Sequence, residues 1–279
     1  MAVITISRQE GSLGDQIGRA LAERLDYRFL DNSTVIAEAR KYGGEIEPNA
    51  PEIEEKQPTF WERLNEERRR HTTMVRSAVY GLARQDNLVI VGLGGVSLLR
   101  DHNHVLKVAT VAPMDVRIDR VSRMGTVDRP IPVDRDEAAR LVRRSDRQRE
   151  GYLRYMFNIE WLDPQIHDLI INTGTLSLDT VVDALAHLAQ RPELRATPES
   201  ADSLENLALA SRVEAALVND AGIWIHGLRV SADRSRVTIT GEVITDDDRE
   251  VAEETALTVE GARQVVNELR IQPPPLTGM

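Results

Sequence analysis

Apolar and polar residues alternate along the first two thirds of the chain in a way that distinguishes strands from helices. Five short runs are apolar almost throughout and predict strands at 3–7, 28–30, 88–91, 105–111 and 169–172. Between them, apolar residues recur at helical spacing and predict helices at about 15–25, 33–41, 59–85, 113–124, 135–157 and 177–189. Buried strands separated by helices indicate an α/β fold, in which helices cover both faces of a parallel sheet. Ligands of such sheets bind beyond the carboxyl ends of the strands, where the turns 8–15, 92–95 and 112–115 fall.

The pattern changes near residue 190. Residues 190–206 are polar, contain two prolines and lack periodic apolar spacing, which predicts a linker. We therefore expect a first domain at 1–190, a linker at 191–206, a second domain at 207–271 and a disordered tail at 272–279. The second domain should contain a helix, a β-hairpin in which Gly241 marks a bulge or a close-packing site, a capped helix and a short final strand.

The composition excludes several classes of site and partner. The chain has no cysteine, which excludes disulfides, cysteine-ligated zinc and thiol nucleophiles, and its histidines lack convincing metal-ligand spacing. The net charge of −10 argues against a general nucleic-acid binder. The first residues lack a signal-peptide pattern, and no apolar run is long enough to span a bilayer. We therefore expect a cytoplasmic protein without a membrane span.

The segment SRQEGSLGD, which follows the first strand, has the layout of a phosphate-binding loop. Gly11 and Gly14 permit a tight turn that aims backbone N–H groups at one point, and Ser12 adds a hydroxyl. The helix that follows adds the positive end of its dipole. Such loops place a lysine where this chain has Asp15, and Arg8 is the nearest candidate for the missing positive charge. An ordinary strand-to-helix turn is the alternative interpretation of the same loop.

Arginines recur at helical spacing on the helices predicted at 113–124 and 135–157. They are three residues apart on the first helix and follow the i, i+4, i+7 pattern on the second: Arg117, Arg120 and Arg123, then Arg140, Arg144 and Arg147. Phosphoryl transfer depends on cations that close over the phosphates, so we expect the two helices to form a lid with inward-facing arginines. A solvated charged surface, braced by ion pairs within the second helix, is the alternative.

Four blocks of the chain, in order, resemble the cytidylate kinase-like family of P-loop proteins. They are ITISRQEGSLGDQIGRALAERLDYRFLD, VAPMDVRIDRV, ARLVRRSDRQREGYLRYMF and DPQIHDLIINTG, and the resemblance covers about residues 1–189. It implies a nucleoside monophosphate kinase fold with a P-loop parallel sheet and an arginine-rich helical lid. The implied activity is transfer of the γ-phosphoryl group of ATP, with Mg²⁺, to CMP, dCMP or a related monophosphate.

Together with the loop and the arginine spacing, the resemblance nominates site residues. The expected ATP-binding residues are Arg8, Gly11, Ser12, Gly14 and Asp15, and the expected catalytic residues of the lid are Arg120, Arg123, Arg144 and Arg147. Two positions depart from the family. Asp15 stands where members commonly carry a basic residue, and Leu93 stands where related sequences often have an acceptor-holding arginine. These departures keep open a catalytically weakened nucleotide-binding protein as the alternative function.

Residues 207–271 resemble a BON domain, which is a small α+β module. The resemblance lies in the glycine after VTIT, the helix after the hairpin and the segment VEGARQVVNELRI. The family suggests binding to a membrane or another ligand, without chemistry of its own. From residue 200 onward, 14 acidic residues against 7 basic ones give a net charge of −7, which argues against attraction to anionic lipid. A ligand or protein partner of this module is therefore expected, and in the alternative function the module recruits the protein to it.

Overall fold

The computed structural model describes residues 2–43, 58–92 and 94–272, with the backbone alone for 58–67. The helices and strands lie along the chain in this order: β1 (Val3–Arg8), α1 (Gly14–Leu25), β2 (Arg28–Leu30), α2 (Asn32–Ala39), α3 (Pro58–Ala83), β3 (Leu88–Val91), α4 (Gly95–Leu98), β4 (Val105–Val111), α5 (Met114–Met124), α6 (Arg135–Phe157), β5 (Leu169–Asn172), α7 (Leu178–Ala189), α8 (Pro198–Asn219), β6 (His226–Asp233), β7 (Arg236–Val243), α9 (Asp246–Thr258) and β8 (Gln264–Ile271). The five strands predicted from the apolar runs are present, and their ends agree with the prediction within one residue.

The described residues form two compact units. The first contains residues 2–35 and 85–200, and the second contains 36–43, 58–84 and 201–272. Helix α3 thus belongs to the second unit, although its residues lie within the first predicted domain. The predicted linker is helical from Pro198, where α8 begins. The boundaries 1–190 and 207–271 stay a prediction, and the predicted tail falls outside the described residues apart from Gln272.

The first unit is built on a five-stranded parallel sheet with β1 at its centre. The strand order is β2-β3-β1-β4-β5. Ile4 and Ile6 of β1 pack on one face in a cluster that includes residues of α1 and α7. Val3 and Thr5 are buried on the other face, where Gly95 of α4 lies beside Thr5. Burial on both faces explains why β1, β3 and β4 are mostly apolar. The predicted α/β class is confirmed, and parallel pairing brings the carboxyl ends of β1, β3 and β4 to one edge.

Helices α5 and α6 form a hairpin in the first unit. Ile118 and Val121 of α5 pack against Ala138 and Val142 of α6 in a small apolar cluster of their own. We call α5, α6 and residues 125–134 between them the lid. Asp134 caps α6 by accepting a hydrogen bond from the backbone N–H of Glu137 at 2.8 Å. The predicted pair of arginine-rich helices is therefore present.

The second unit carries a three-stranded mixed sheet. Strands β6 and β7 form an antiparallel hairpin, and β8 pairs in parallel with β7. Gly241 of β7 has a φ of 144°, and a Cβ atom there would lie 2.8 Å from the carbonyl oxygen of His226. The register irregularity lies opposite it, between His226 and Arg229 of β6. Gly241 is thus the predicted close-packing site, and the predicted cap of α9 is a capping box between Thr245 and Asp248.

Helix α3 is tied to α8 of the same unit by buried polar contacts. The hydroxyl of Ser77 donates to the backbone carbonyl of Ser211 at 2.9 Å, and both residues are buried. Arg76 pairs with Glu214 at 3.1 Å one turn away. Buried polar groups need such partners, so these contacts make α3 a component of the second unit's interior. In the part of the chain that the structure describes, no helix is both long enough and apolar enough to cross a bilayer.

Candidate functional site

The loop between β1 and α1 presents backbone N–H groups at the start of a helix. Gly11 has a φ of 78°, and Leu13, at the N-cap of α1, has a φ of 64°. A left-handed backbone is uncommon for a residue with a large side chain, and it marks a conformation imposed by the surrounding structure. Among the described residues, the N–H groups of Gly11, Leu13 and Gly14 have no hydrogen-bond acceptor. These donors and the dipole of α1 form an anion-binding geometry.

Gly14 allows the loop to approach two strands closely. A Cβ atom at Gly14 would overlap the Cβ atom of Arg8 and lie 2.6 Å from the hydroxyl of Thr110. The hydroxyl of Ser12 bonds to the carbonyl of Gln9 at 2.8 Å and lies 2.9 Å from the hydroxyl of Thr110. The loop is therefore fixed against the ends of β1 and β4. The hydroxyl of Ser12 thus holds the loop in place, and its expected role in ligand binding stays a prediction.

The carboxylate of Asp15 is paired with an arginine and is not an isolated charge in the loop. Its carboxylate accepts two hydrogen bonds from Arg8, at 3.0 Å from Nε and 3.1 Å from Nη2. The side chains of Arg8 and Asp15 are 8% and 12% exposed, so this is a buried bidentate ion pair. The pair removes most of the repulsion that Asp15 alone would exert on a phosphate. It also means that Arg8, the candidate for the missing lysine charge, is already neutralised.

Glu10 connects the loop to the lid. It is 6% exposed, and its carboxylate accepts from Nη2 of Arg149 at 2.8 Å. The hydroxyl of Ser145 donates to the same oxygen at 3.3 Å, and the backbone N–H of Val127 donates to the other at 3.3 Å. Burial lowers the pKa of Arg149, and its Nη1 atom is buried without a partner among the described residues. One loop carboxylate therefore contacts both α6 and the segment between α5 and α6.

Two arginines of α5 hold the back of the loop. Arg117 is buried, and its Nη1 lies 2.9 Å from both carboxylate oxygens of Asp146 and 3.4 Å from the carbonyl of Glu10. Burial raises the pKa of Asp146 while the Arg117 charge acts to lower it. Arg120 donates to the carbonyl of Gly11 at 3.1 Å and to the hydroxyl and carbonyl of Thr173 at 3.0 and 2.7 Å. These bonds engage carbonyls of the loop and leave its N–H groups available to a ligand.

Of the four predicted lid arginines, Arg120 alone contacts the loop, whereas Arg123, Arg144 and Arg147 are exposed. The inward orientation expected for Arg144 and Arg147 is therefore not observed. The buried positions of α6 are Ala138, Val142, Leu153 and Met156, and the arginines at 144 and 147 lie on a different face. Their catalytic role stays a prediction.

Alanine substitutions should separate the two kinds of lid arginine. Arg120→Ala is expected to lower the free energy of unfolding by about 2 kcal/mol, because hydrogen bonds to charged groups contribute about 1.5–3 kcal/mol. Arg123→Ala, Arg144→Ala and Arg147→Ala should change it by less than about 0.5 kcal/mol, as is usual for exposed positions. If these three close over the phosphates, each substitution should slow phosphoryl transfer about tenfold, or 1.4 kcal/mol. Urea denaturation and ADP release measure the two effects.

Arg154 provides the matched control for this series. It is exposed on α6 and pairs with Glu150 at 2.8 Å. Arg154→Ala should affect neither stability nor turnover. Full turnover in all three exposed-arginine variants would exclude them from the lid's catalytic set.

Sequence reasoning missed Glu10, Arg149 and Thr173 as site residues. The signal for Arg149 lies in the apolar pattern of α6, because it stands seven residues after the buried Val142 and so shares its face. Glu10 carries no comparable signal, since its partners are distant in sequence. Leu93, the other departure from the family pattern, lies outside the described residues. No group of three or more His, Asp or Glu side chains suited to a metal ion occurs in the described ranges.

Comparisons with known proteins agree with the geometry. Residues 3–175 match the cytidylate kinase-like family, and residues 206–273 match the BON domain. A cytidylate kinase from Sulfolobus acidocaldarius is 32% identical over 111 residues, which are 39% of this chain and 57% of that protein. The match thus spans little more than half of the relative's length.

Solved structures also resemble the chain. An uncharacterized protein from Eubacterium ventriosum aligns over 68% of this chain and 100% of its own, with a TM-score of 0.52 and 18% identity. A shikimate kinase from Bacteroides thetaiotaomicron aligns over 68% of this chain and 99% of its own, with a TM-score of 0.40 and 16% identity. The first of these likenesses supports the α/β fold.

Proposed function

Because this chain belongs to the cytidylate kinase-like family, we propose that it transfers the γ-phosphoryl group of ATP to a nucleoside monophosphate, with CMP or dCMP as the acceptor. The observation that carries the proposal is the loop of residues 8–15. Three of its N–H groups, which have no acceptor in the described part of the chain, stand at the start of α1, at the carboxyl edge of a parallel sheet. An ordinary strand-to-helix turn does not require a left-handed leucine or bonds from three arginines of the lid, which are Arg117, Arg120 and Arg149.

The residues present fit a polyphosphate. The N–H groups of Gly11, Leu13 and Gly14 would hold phosphate oxygens, and the buried Arg8–Asp15 pair keeps the carboxylate from repelling them. Bound ATP with Mg²⁺ would supply the transferable phosphoryl group and neutralise part of its charge. The chain's own contribution is to position the phosphates and to bring arginines of the lid near the charge that develops during transfer.

The acceptor would lie beyond β3. Gly92 follows that strand, and a Cβ atom there would overlap Nη1 of Arg8 and Oδ1 of Asn32. Oδ1 of Asn32 is buried without a hydrogen-bond partner in the described part of the chain. These polar atoms lie beside Gly92, directly after β3, and we expect an acceptor monophosphate to approach the loop there.

A panel of acceptors tests the proposal. ADP release from ATP and Mg²⁺ should be fastest with CMP or dCMP and slower with UMP, AMP and GMP. Incubation without acceptor gives the background. Equal rates with and without every monophosphate would contradict the proposed activity.

A catalytically weakened nucleotide-binding protein is the second candidate. The observation in its favour is that Asp15 engages Arg8 at two nitrogens, so that the loop lacks the free cation that lysine provides in other phosphate-binding loops. ATP binding without phosphoryl transfer to any monophosphate would favour this candidate. The BON domain would then supply the function by recruiting a ligand or protein partner.

A further inference from the structure

The arginines around the loop are almost all neutralised by carboxylates. Arg8 pairs with Asp15, Arg117 with Asp146 and Arg149 with Glu10. Arg120 bonds instead to neutral oxygens of Gly11 and Thr173. A polyphosphate needs cations close to it, because charge neutralisation is the main task of a phosphoryl-transfer site. Opening of one of the three ion pairs would place a further cation directly beside the phosphates, in addition to Mg²⁺ and the exposed arginines of the lid.

Of the three ion pairs, the one between Glu10 and Arg149 has the fewest hydrogen bonds between its members. Arg8 and Arg117 each make two bonds to their carboxylates, whereas Arg149 makes a single one, at 2.8 Å. The second terminal nitrogen of Arg149 is buried without a partner among the described residues. A phosphate presents several oxygens and can accept two parallel bonds from one guanidinium, which a single Glu10 oxygen does not. Exchange of Glu10 for a phosphate would therefore satisfy the unpartnered nitrogen.

Glu10 is also placed where its carboxylate would repel a phosphate bound at the loop. It immediately precedes Gly11, the first glycine of the loop, and it is almost fully buried. Two like charges a few ångströms apart repel more strongly in a buried site than in water, because the effective dielectric constant is lower there. A charged Glu10 next to the loop therefore opposes phosphate binding. Separation of Glu10 from Arg149 makes that arginine available to the phosphate.

We propose that Glu10 is an internal counter-ion that occupies Arg149 and latches the lid to the loop until a phosphate of the nucleotide displaces it. This inference rests on the proposed function, since it concerns the same loop. The latch consists of Glu10, Arg149, Ser145 and Val127. Its opening releases α6 and the segment before it at the moment when Arg149 changes partner. Glu10 thereby sets the affinity for phosphates and couples their binding to the position of the lid.

Isothermal titration with ATP and with inorganic tripolyphosphate tests the latch. Glu10→Gln removes the charge and keeps the shape, so it should tighten the binding of both probes about tenfold and lower the melting temperature of the protein without ligand. In the double variant with Arg149→Gln, the gain in affinity should disappear, because the freed arginine is then missing. Glu10→Asp, which retracts the carboxylate by one methylene, should give a smaller gain and serves if Glu10→Gln fails to fold.

Glu137→Gln is the matched control. Glu137 also lies on the lid and pairs with an arginine, Arg140, but the pair is exposed and takes no part in the hydrogen bonds described for the loop. Its loss removes the same charge and should change affinity less than twofold. ATP binding with unchanged affinity in folded Glu10→Gln overturns the latch alone. If neither the parent nor Glu10→Gln binds ATP or tripolyphosphate, the latch and the proposed function are both overturned.

Amide hydrogen exchange provides a second readout that does not depend on affinity. The N–H of Val127 donates to Glu10 at 3.3 Å, so its exchange should be faster in Glu10→Gln than in the parent protein. Tripolyphosphate should accelerate the same amide in the parent, because it displaces Glu10. Slower exchange at Val127 on addition of tripolyphosphate to the parent would mean that phosphate tightens the contact, and it would overturn the latch.

Discussion

Replacement of Gly14 by alanine is expected to weaken ATP binding by at least a hundredfold, which corresponds to about 2.7 kcal/mol. The added Cβ would overlap the Cβ of Arg8 and come within 2.6 Å of the Thr110 hydroxyl, and both neighbours belong to strands of the sheet. Strand backbones in a packed sheet cannot retreat, so the loop must move instead. The N–H groups of the loop would then be displaced from the positions in which they can bind a phosphate together. The same overlap should lower the free energy of unfolding by about 1–3 kcal/mol.

Gly151→Ala is the control for this experiment. Gly151 lies on α6 of the same unit, and a Cβ atom there would meet nothing within 4 Å. Alanine in a helix is favoured over glycine by up to about 1 kcal/mol, so this variant should be slightly more stable than the parent and bind ATP equally well. Isothermal titration and urea denaturation measure both quantities. Equal ATP affinity in the two alanine variants would show that the loop does not bind the phosphates.

The sheet could be predicted from the sequence because burial on both faces leaves a strong pattern. The residues of β1, β3 and β4 are buried and mostly apolar on both faces, and turn residues bound each run. Helix α4 is not predicted from the sequence, because it is only one turn long and starts at Gly95, in a glycine-rich segment that predicts a turn. Short helices give too few positions for a period to be recognised.

The partners of the site residues could not be predicted in the same way. The sequence nominates Arg8 and Asp15 as separate charges, seven residues apart, whereas the structure joins them at 3.0 Å in a buried pair. Periodicity shows which residues share a helix face, but not which face meets the loop. From their charge and spacing, Arg144 and Arg147 are expected on the inner face of α6. The inner face is the one that contains the buried Val142, and Arg149 lies on that face instead.

Substitution of Asp15 is expected to destabilise the fold and to strengthen phosphate binding at the same time. Asp15→Asn leaves the buried guanidinium of Arg8 without its counter-charge, and loss of one partner of a buried pair costs about 3–5 kcal/mol of unfolding free energy. The same substitution removes a negative charge beside the phosphates and frees Arg8. ATP affinity of the folded protein should therefore rise about tenfold, or 1.4 kcal/mol.

A double variant that replaces both members of the pair identifies the cause. Arg8→Met with Asp15→Leu replaces the buried pair by apolar side chains, which is often close to neutral, so the double variant should recover most of the stability lost in Asp15→Asn. Glu150→Gln, which breaks the exposed pair with Arg154 on α6, should cost less than about 1 kcal/mol. If Asp15→Asn costs no more than Glu150→Gln, the Arg8–Asp15 pair does not hold the loop. A different result is that Asp15→Asn destabilises the fold and also lowers ATP affinity. In that case the carboxylate of Asp15 contributes directly to nucleotide binding and does not hinder it.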